Sequence, residues 1–133
     1  MFLFNPREFD TAHLDEASSE IMRKTIQFFE DKGKARIKED DQKRVWYADF
    51  LEFVKKEQIF STLLTPAKYG NGTQRWDTHR NARFNEILGF YGLAYWYTWQ
   101  VSILGLGPVW MSENEGIKQR AAGLLREGAI FAF

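Results

Sequence analysis

Apolar residues recur at spacings of three and four in the first half of the chain, and from Phe84 to Val109 they take nearly every position. In the first stretch Leu14, Ala17, Ile21, Thr25 and Phe28 line up with Phe29 beside them, and the stripe stops at Gly33. That period marks a helix buried along one side. Asp10 or Thr11 can cap its start, and Asp15 and Glu16 suit the positive end of its dipole. The charged run KARIKEDD reads as a solvated connection to a second helix, capped by Asp40 or Asp41. The wide apolar face of that helix holds Val45, Trp46, Phe50, Phe53 and Val54, and Lys55 and Lys56 suit its C-terminal end. Residues 61–78 contain Pro66, Gly70 and Gly72 and read as one long irregular segment.

Asp77 or Thr78 caps a third helix, which gives way to a fourth around Gly89 and Gly92. The fourth spans about Leu93 to Met111, with Pro108 bending or breaking its last turns. A helix apolar all round is either a membrane span or the central rod of a bundle. Asn85, Glu86 and Gln100 interrupt the run, and no stretch of roughly 18 to 20 residues is purely apolar, so the rod is expected. Ser112 or Asn114 caps a final helix from Glu115 to Arg126, and Gly128 follows its end. The closing AIFAF reads as the first residues of a buried strand. The expected architecture is all-α, an up-down bundle of about five helices with the start of a β-strand at the C-terminus. Residues 1–9 form an arm, 10–128 the helical domain and 129–133 the strand start. An unpaired terminal strand leaves its backbone groups without partners, which suggests a chain cut from something longer.

With 133 residues, one domain is expected. The formal charge is zero, which gives no whole-chain footprint for nucleic acid or an anionic membrane. Cysteine is absent, so disulfides, thiolate metal sites and cysteine nucleophiles are excluded. MFLFNPREFD is too short an apolar run, and too soon charged, for a signal peptide, and a cytoplasmic location is the expectation. His13 and His79 lie in different segments without ligand-spaced carboxylates, so no metal site is expected. Gly105-Leu106-Gly107-Pro108 is not a dinucleotide fingerprint, because Trp110 takes the third glycine position and no strand precedes it. Glu86 reads as a hydrogen-bonded or boundary glutamate rather than a buried base. Arg75, Trp76, Arg80 and Arg83 mix basic and aromatic groups, as a phosphate grip would, but a solvated loop and helix start explains them more simply.

Trp96, Gln100 and Leu104 fall at i, i+4 and i+8 and share one stripe of the fourth helix. A glutamine in so apolar a rod needs a hydrogen-bond partner or a cavity. Gly105 and Gly107 lower the bulk at the end of that stripe, where something else can approach closely. From spacing alone the stripe reads as core rather than pocket.

The order of these features is distinctive. Two amphipathic helices lead to a Pro66-x-x-Tyr69-Gly70 turn and a helix bearing Asn85-Glu86. An aromatic helix ends in Leu104-Gly105-x-x-Pro108. Asn114-Glu115-x-x-Lys118-Gln119-Arg120 with Leu124 or Leu125, then Gly128-x-Ile130-x-Ala132-Phe133, completes it. Nearly the whole chain thus resembles the N-terminal helical domain of the acyl-CoA dehydrogenase family of flavoenzymes. Asn71 departs from that pattern, standing where a second glycine is common.

The resemblance implies a helical domain packed against a middle β-domain and a C-terminal helical bundle, with FAD between those two. It implies that Trp96, Gln100 and Leu104 line the acyl-chain tunnel, and that Phe133 lies at the edge of the flavin-contacting segment. It implies an FAD-dependent parent oxidoreductase that removes a proton and a hydride from adjacent carbons of an acyl-CoA thioester. The 133 residues alone would be inert, would hold no cofactor and would self-associate through exposed apolar faces; monomeric behaviour on light scattering at high concentration would count against that. The alternative is a stand-alone helical module whose aromatic groove binds a partner helix or a hydrophobic ligand.

Overall fold

The computed structural model describes residues 4–132, and among these every regular element is helical. Seven α-helices follow one another: α1 (Glu16–Lys32), α2 (Lys34–Gln42), α3 (Ala48–Lys56), α4 (Ile59–Leu64), α5 (Thr78–Tyr91), α6 (Leu93–Met111) and α7 (Glu115–Arg126). Short 3₁₀ turns cover Pro6–Glu8 and Ala67–Tyr69. The described part of the N-terminal arm is not free of the body, since Phe4 and Phe9 pack against the core and Phe4 lies 5.3 Å from the Phe90 ring.

Helix ends follow the capping residues. The Asp15 carboxylate accepts the Ser18 amide at 2.9 Å and starts α1 later than the Asp10 or Thr11 caps; Asp10 instead holds the Ala12 amide at 2.8 Å in the preceding turn. Asp77 caps α5 through the Arg80 amide and Asn114 caps α7 through the Ile117 amide, at 3.1 and 3.0 Å. Gly33 ends α1 with φ +78°.

Two segments depart from the sequence reading. KARIKEDD is helical rather than a loose connection, because its charges pair along the helix and back to α1. Asp40 meets Lys32 at 3.0 Å and Arg36 at 2.9 Å, and Lys32 also reaches Asp49 of α3 at 2.7 Å. Residues 59–64 form α4, and all six are buried. A helix covered on every side has no polar face to set a period, so its sequence carries no helical signature. These two helices raise the number from about five to seven.

The rod is real. Trp99 of α6 is fully buried, with Phe60 and Phe84 edge-on at 5.2 and 4.7 Å. Phe29, Phe50 and Tyr95 form a second aromatic knot one turn away, with Tyr95 4.9 Å from Phe29 and 5.0 Å from Phe50.

The expected strand start is absent among the described residues: Ala129 to Ala132 have no regular structure. No second strand is there to take the backbone groups. Ser102 of α6 takes one instead, accepting the Phe131 amide at 3.3 Å while its hydroxyl donates to the Thr98 carbonyl at 2.9 Å. A Cβ on Gly105 would come within 2.9 Å of the Ala132 carbonyl oxygen, so the glycine permits this close approach.

Asp15 ties this architecture to pH. Partial burial alone would raise its carboxyl, but the Ser18 amide and then the Arg75 guanidinium outweigh that and hold its pKa at about 2 rather than 3.8. A carboxylate with a depressed folded pKa adds stability above its unfolded value, and that stability fades as pH falls through the folded one. Thermal unfolding should therefore show Asp15→Asn less stable than wild type at neutral pH, with the gap closing between pH 3.8 and about 2. A gap that persists at the acid end would assign the loss to something other than the ionised carboxylate.

Candidate functional site

Helix α6 has a sheathed side and an open one. Leu93, Tyr97, Leu104 and Met111 are 74%, 61%, 49% and 86% exposed, while Tyr95, Thr98, Trp99, Ser102 and Leu106 are buried. At about 100° per residue, Leu93, Tyr97, Gln100, Leu104, Pro108 and Met111 fall within one narrow sector. That sector is an apolar strip along the whole 19-residue helix, with one amide near its middle. Helices α1, α5 and α7 cover other parts of the bundle and leave this strip uncovered.

The three site residues expected from sequence divide on this geometry. Gln100 and Leu104 belong to the strip, with Gln100 half-buried and Leu104 half-exposed. Trp96 is rotated toward the bundle and packs against the core. Tyr97, which the spacing argument passed over, takes its place beside Gln100. No local signal separates it from Tyr95, which carries the same hydroxyl two residues earlier and is buried. Phe133, expected at the flavin edge, lies outside the described residues.

Gln100 also borders a hollow of about 210 Å³ between α5 and α6, with Trp76, Asn81, Asn85, Trp99 and Ile103. This hollow is an open depression rather than an enclosed cavity. Its surroundings are polar but under-paired: the Asn81 and Asn85 carbonyl oxygens and the Trp99 indole nitrogen are buried without a hydrogen-bond partner. Gly105 admits the chain's own Ala132 backbone, whereas nothing approaches Gly107 within 4 Å.

Nothing along the strip is a nucleophile or a tuned base. Glu86 is exposed and salt-bridged to Arg83 on the same helix. His13 and His79 are both exposed, and no cluster of three acidic or histidine side chains among the described residues could hold a metal ion. The basic-aromatic span also resolves differently from its sequence reading. Arg80 is not solvated but fully buried, donating to the Ser18 hydroxyl at 3.0 Å, to the Thr62 carbonyl at 2.6 Å and to the Arg75 carbonyl. Burial, followed by the neighbouring Arg75 charge, pushes its pKa down to about 10, which still leaves it charged at neutral pH. Arg75 is paired with Asp15 and Asp77 at 2.7 and 3.0 Å, and Arg83 sits over the Phe9 ring at 4.4 Å. All three arginines are therefore engaged within the fold rather than presented as a phosphate grip.

A hollow of about 610 Å³ lies elsewhere, between α2, the turn into α3 and the start of α6. None of the expected site residues lines it. Among the described residues no helix is long and apolar enough to cross a membrane. Comparison of the chain with family models, curated proteins and solved structures finds no match to any of them.

Proposed function

We propose that this chain is the helical wall domain of an FAD-dependent, acyl-CoA dehydrogenase-like oxidoreductase, whose full-length form carries out α,β-dehydrogenation of an acyl-CoA thioester. The observation that supports it most is the open strip of α6: a long apolar surface with a single amide at mid-length, mounted on a rigid rod. An acyl chain between this strip and a second domain would bury both, which a helix face this apolar otherwise leaves exposed to water. Tyr97, Gln100 and Leu104 are the wall residues on this reading, with Trp96 supporting them from behind. Alone, the chain would close the same strip by self-association.

The flavin chemistry belongs to parts outside the described residues, and the resemblance places FAD between two further domains. Ser102 and Gly105 fix the Phe131–Ala132 backbone against the sheathed side of α6, turned away from the strip. This chain's own contribution is to shape the tunnel and exclude water from it.

The test is chain-length preference in the protein that joins these residues to flavin-binding domains. Leu104→Trp should narrow the tunnel, lowering kcat/KM for long acyl-CoA thioesters by about tenfold or more while short ones are spared. A uniform loss across lengths, or none, would remove α6 from the substrate wall. A stop codon directly after codon 133 would favour the stand-alone helical module instead.

A further inference from the structure

The 610 Å³ groove shares Leu93 with the start of the α6 strip but none of the wall residues Tyr97, Gln100 and Leu104. Its floor is aromatic and aliphatic: Ile37, Tyr47, Tyr91 and Tyr95 line it, and Val45 and Trp46 form one rim. Trp46 stacks on Tyr47 at 4.4 Å yet remains 61% exposed. With Val45 at 46% and Leu93 at 74% exposed around the same groove, Trp46 belongs to a contiguous open apolar rim of the kind that marks a binding surface.

The charges around this floor are unbalanced. Lys32 and Asp40 neutralise each other at 3.0 Å. That leaves Lys34, Lys38 and Arg44 facing Asp41 alone, and none of these four side chains makes an ion pair among the described residues. Arg44 also stands at φ +52°, a left-handed conformation that a side-chain-bearing residue adopts at a cost of about 1 kcal/mol or more. The turn it makes swings Val45 and Trp46 to the rim, where the Val45 amide is held by the Asp40 carbonyl at 2.8 Å.

We propose that this groove is a binding site for a flat hydrophobic monoanion, an aromatic carboxylate or sulfonate. The ring system lies against Tyr91 and the open edge of Tyr95, beside the Trp46–Tyr47 stack, and the acidic group meets Lys38 and Arg44. Three features select that class. The volume is in the range of small-molecule pockets, roughly 300 to 1,000 Å³, and too small for a folded partner. Four aromatic side chains favour stacking with a planar body over an aliphatic one. The surplus of unpaired cations selects a single acidic head group over a neutral or cationic one. The site meets the α6 strip only at Leu93, and neither reading needs the other.

Titration of the isotope-labelled chain with naphthoate, followed by amide and indole NMR signals, tests it. Naphthoate should shift the Trp46 indole N–H and the amides of residues 37–47 and 91–95, and naphthalenemethanol of the same shape should bind at least ~10-fold more weakly. The double variant Lys38→Glu/Arg44→Glu, both exposed positions, should keep its thermal midpoint, lose naphthoate affinity by ~10-fold or more and leave naphthalenemethanol binding unchanged. Trp46→Ala should weaken both probes. Equal affinity for the two probes, insensitivity to charge reversal, or shifts confined to the α6 strip would overturn the proposal. Shifts of the same groove signals on raising protein concentration without ligand would overturn it too, assigning the surface to a second copy of the chain.

Discussion

Trp99→Ala should destabilise this protein by about 3–5 kcal/mol, the largest loss expected of any single truncation in the core. The indole is fully buried, touches Phe60 and Phe84 edge-on, and sits where α4, α5 and α6 meet. Its removal leaves a void that rings packed at fixed angles cannot collapse into. Total stability for a domain of this kind is about 5–15 kcal/mol, so the variant should sit near the edge of folding. Chemical denaturation should show a lower midpoint with an unchanged slope. Tyr97→Ala, two residues earlier and exposed on the open strip, should cost much less. If the two truncations cost the same, α6 has no distinct sheathed and open sides, and the proposed wall goes with that distinction.

Arg80→Ala is the second large effect, about 3 kcal/mol or more, and for a different reason. The guanidinium joins three acceptors from separate parts of the chain: the Ser18 hydroxyl of α1, the Thr62 carbonyl of α4 and the Arg75 carbonyl in the loop before α5. Truncation strands the Arg75 carbonyl, leaves the Thr62 carbonyl with only the Arg75 amide at 3.3 Å and the Ser18 hydroxyl with only Asp15, and opens a cavity. Arg80→Lys keeps the charge but lacks the planar fork, so it should recover only part of the loss. Arg80→Met fills the space and removes the cost of burying a charge, and should be less damaging than alanine. Equilibrium denaturation in urea gives this ranking without an ionic denaturant screening the charge. Alanine and wild type within about 1 kcal/mol of each other would show that the three acceptors find water instead.

Much of the architecture was legible where local chemistry alone decides the outcome. Asp77, Asn114 and Gly128 mark helix boundaries because a cap satisfies backbone groups within three or four residues of itself. The stripe of α1 follows from how much of its surface meets water, whereas the all-round apolarity of α6 gave no sign of its open strip. Legibility failed at α2 and α4, for opposite reasons. KARIKEDD carries too few apolar residues to show a period and is held by ion pairs to Lys32, which lies outside the run. Residues 59–64 are buried on every side and so show no period either.

The functional reading divides along the same line. Gln100 and Leu104 could be picked out as a stripe from their spacing, since a helix fixes which residues share a face. Whether that face looks inward or outward depends on which helices pack against it, and that rests on contacts between residues far apart in the chain. Tyr97 is exposed and Trp96 is not because the bundle covers one sector of α6 and leaves its neighbour open. Arg80 reads as a solvated helix-start cation until α1 and α4 arrive with acceptors. The groove beside Trp46 exists only because Gly33 and Arg44 turn α2 back toward the start of α6. Helix identity, caps and faces were thus set by interactions over one or two turns; which faces stay open, and which charges stay unpaired, was settled by long-range packing, whose free energy no local window of sequence contains.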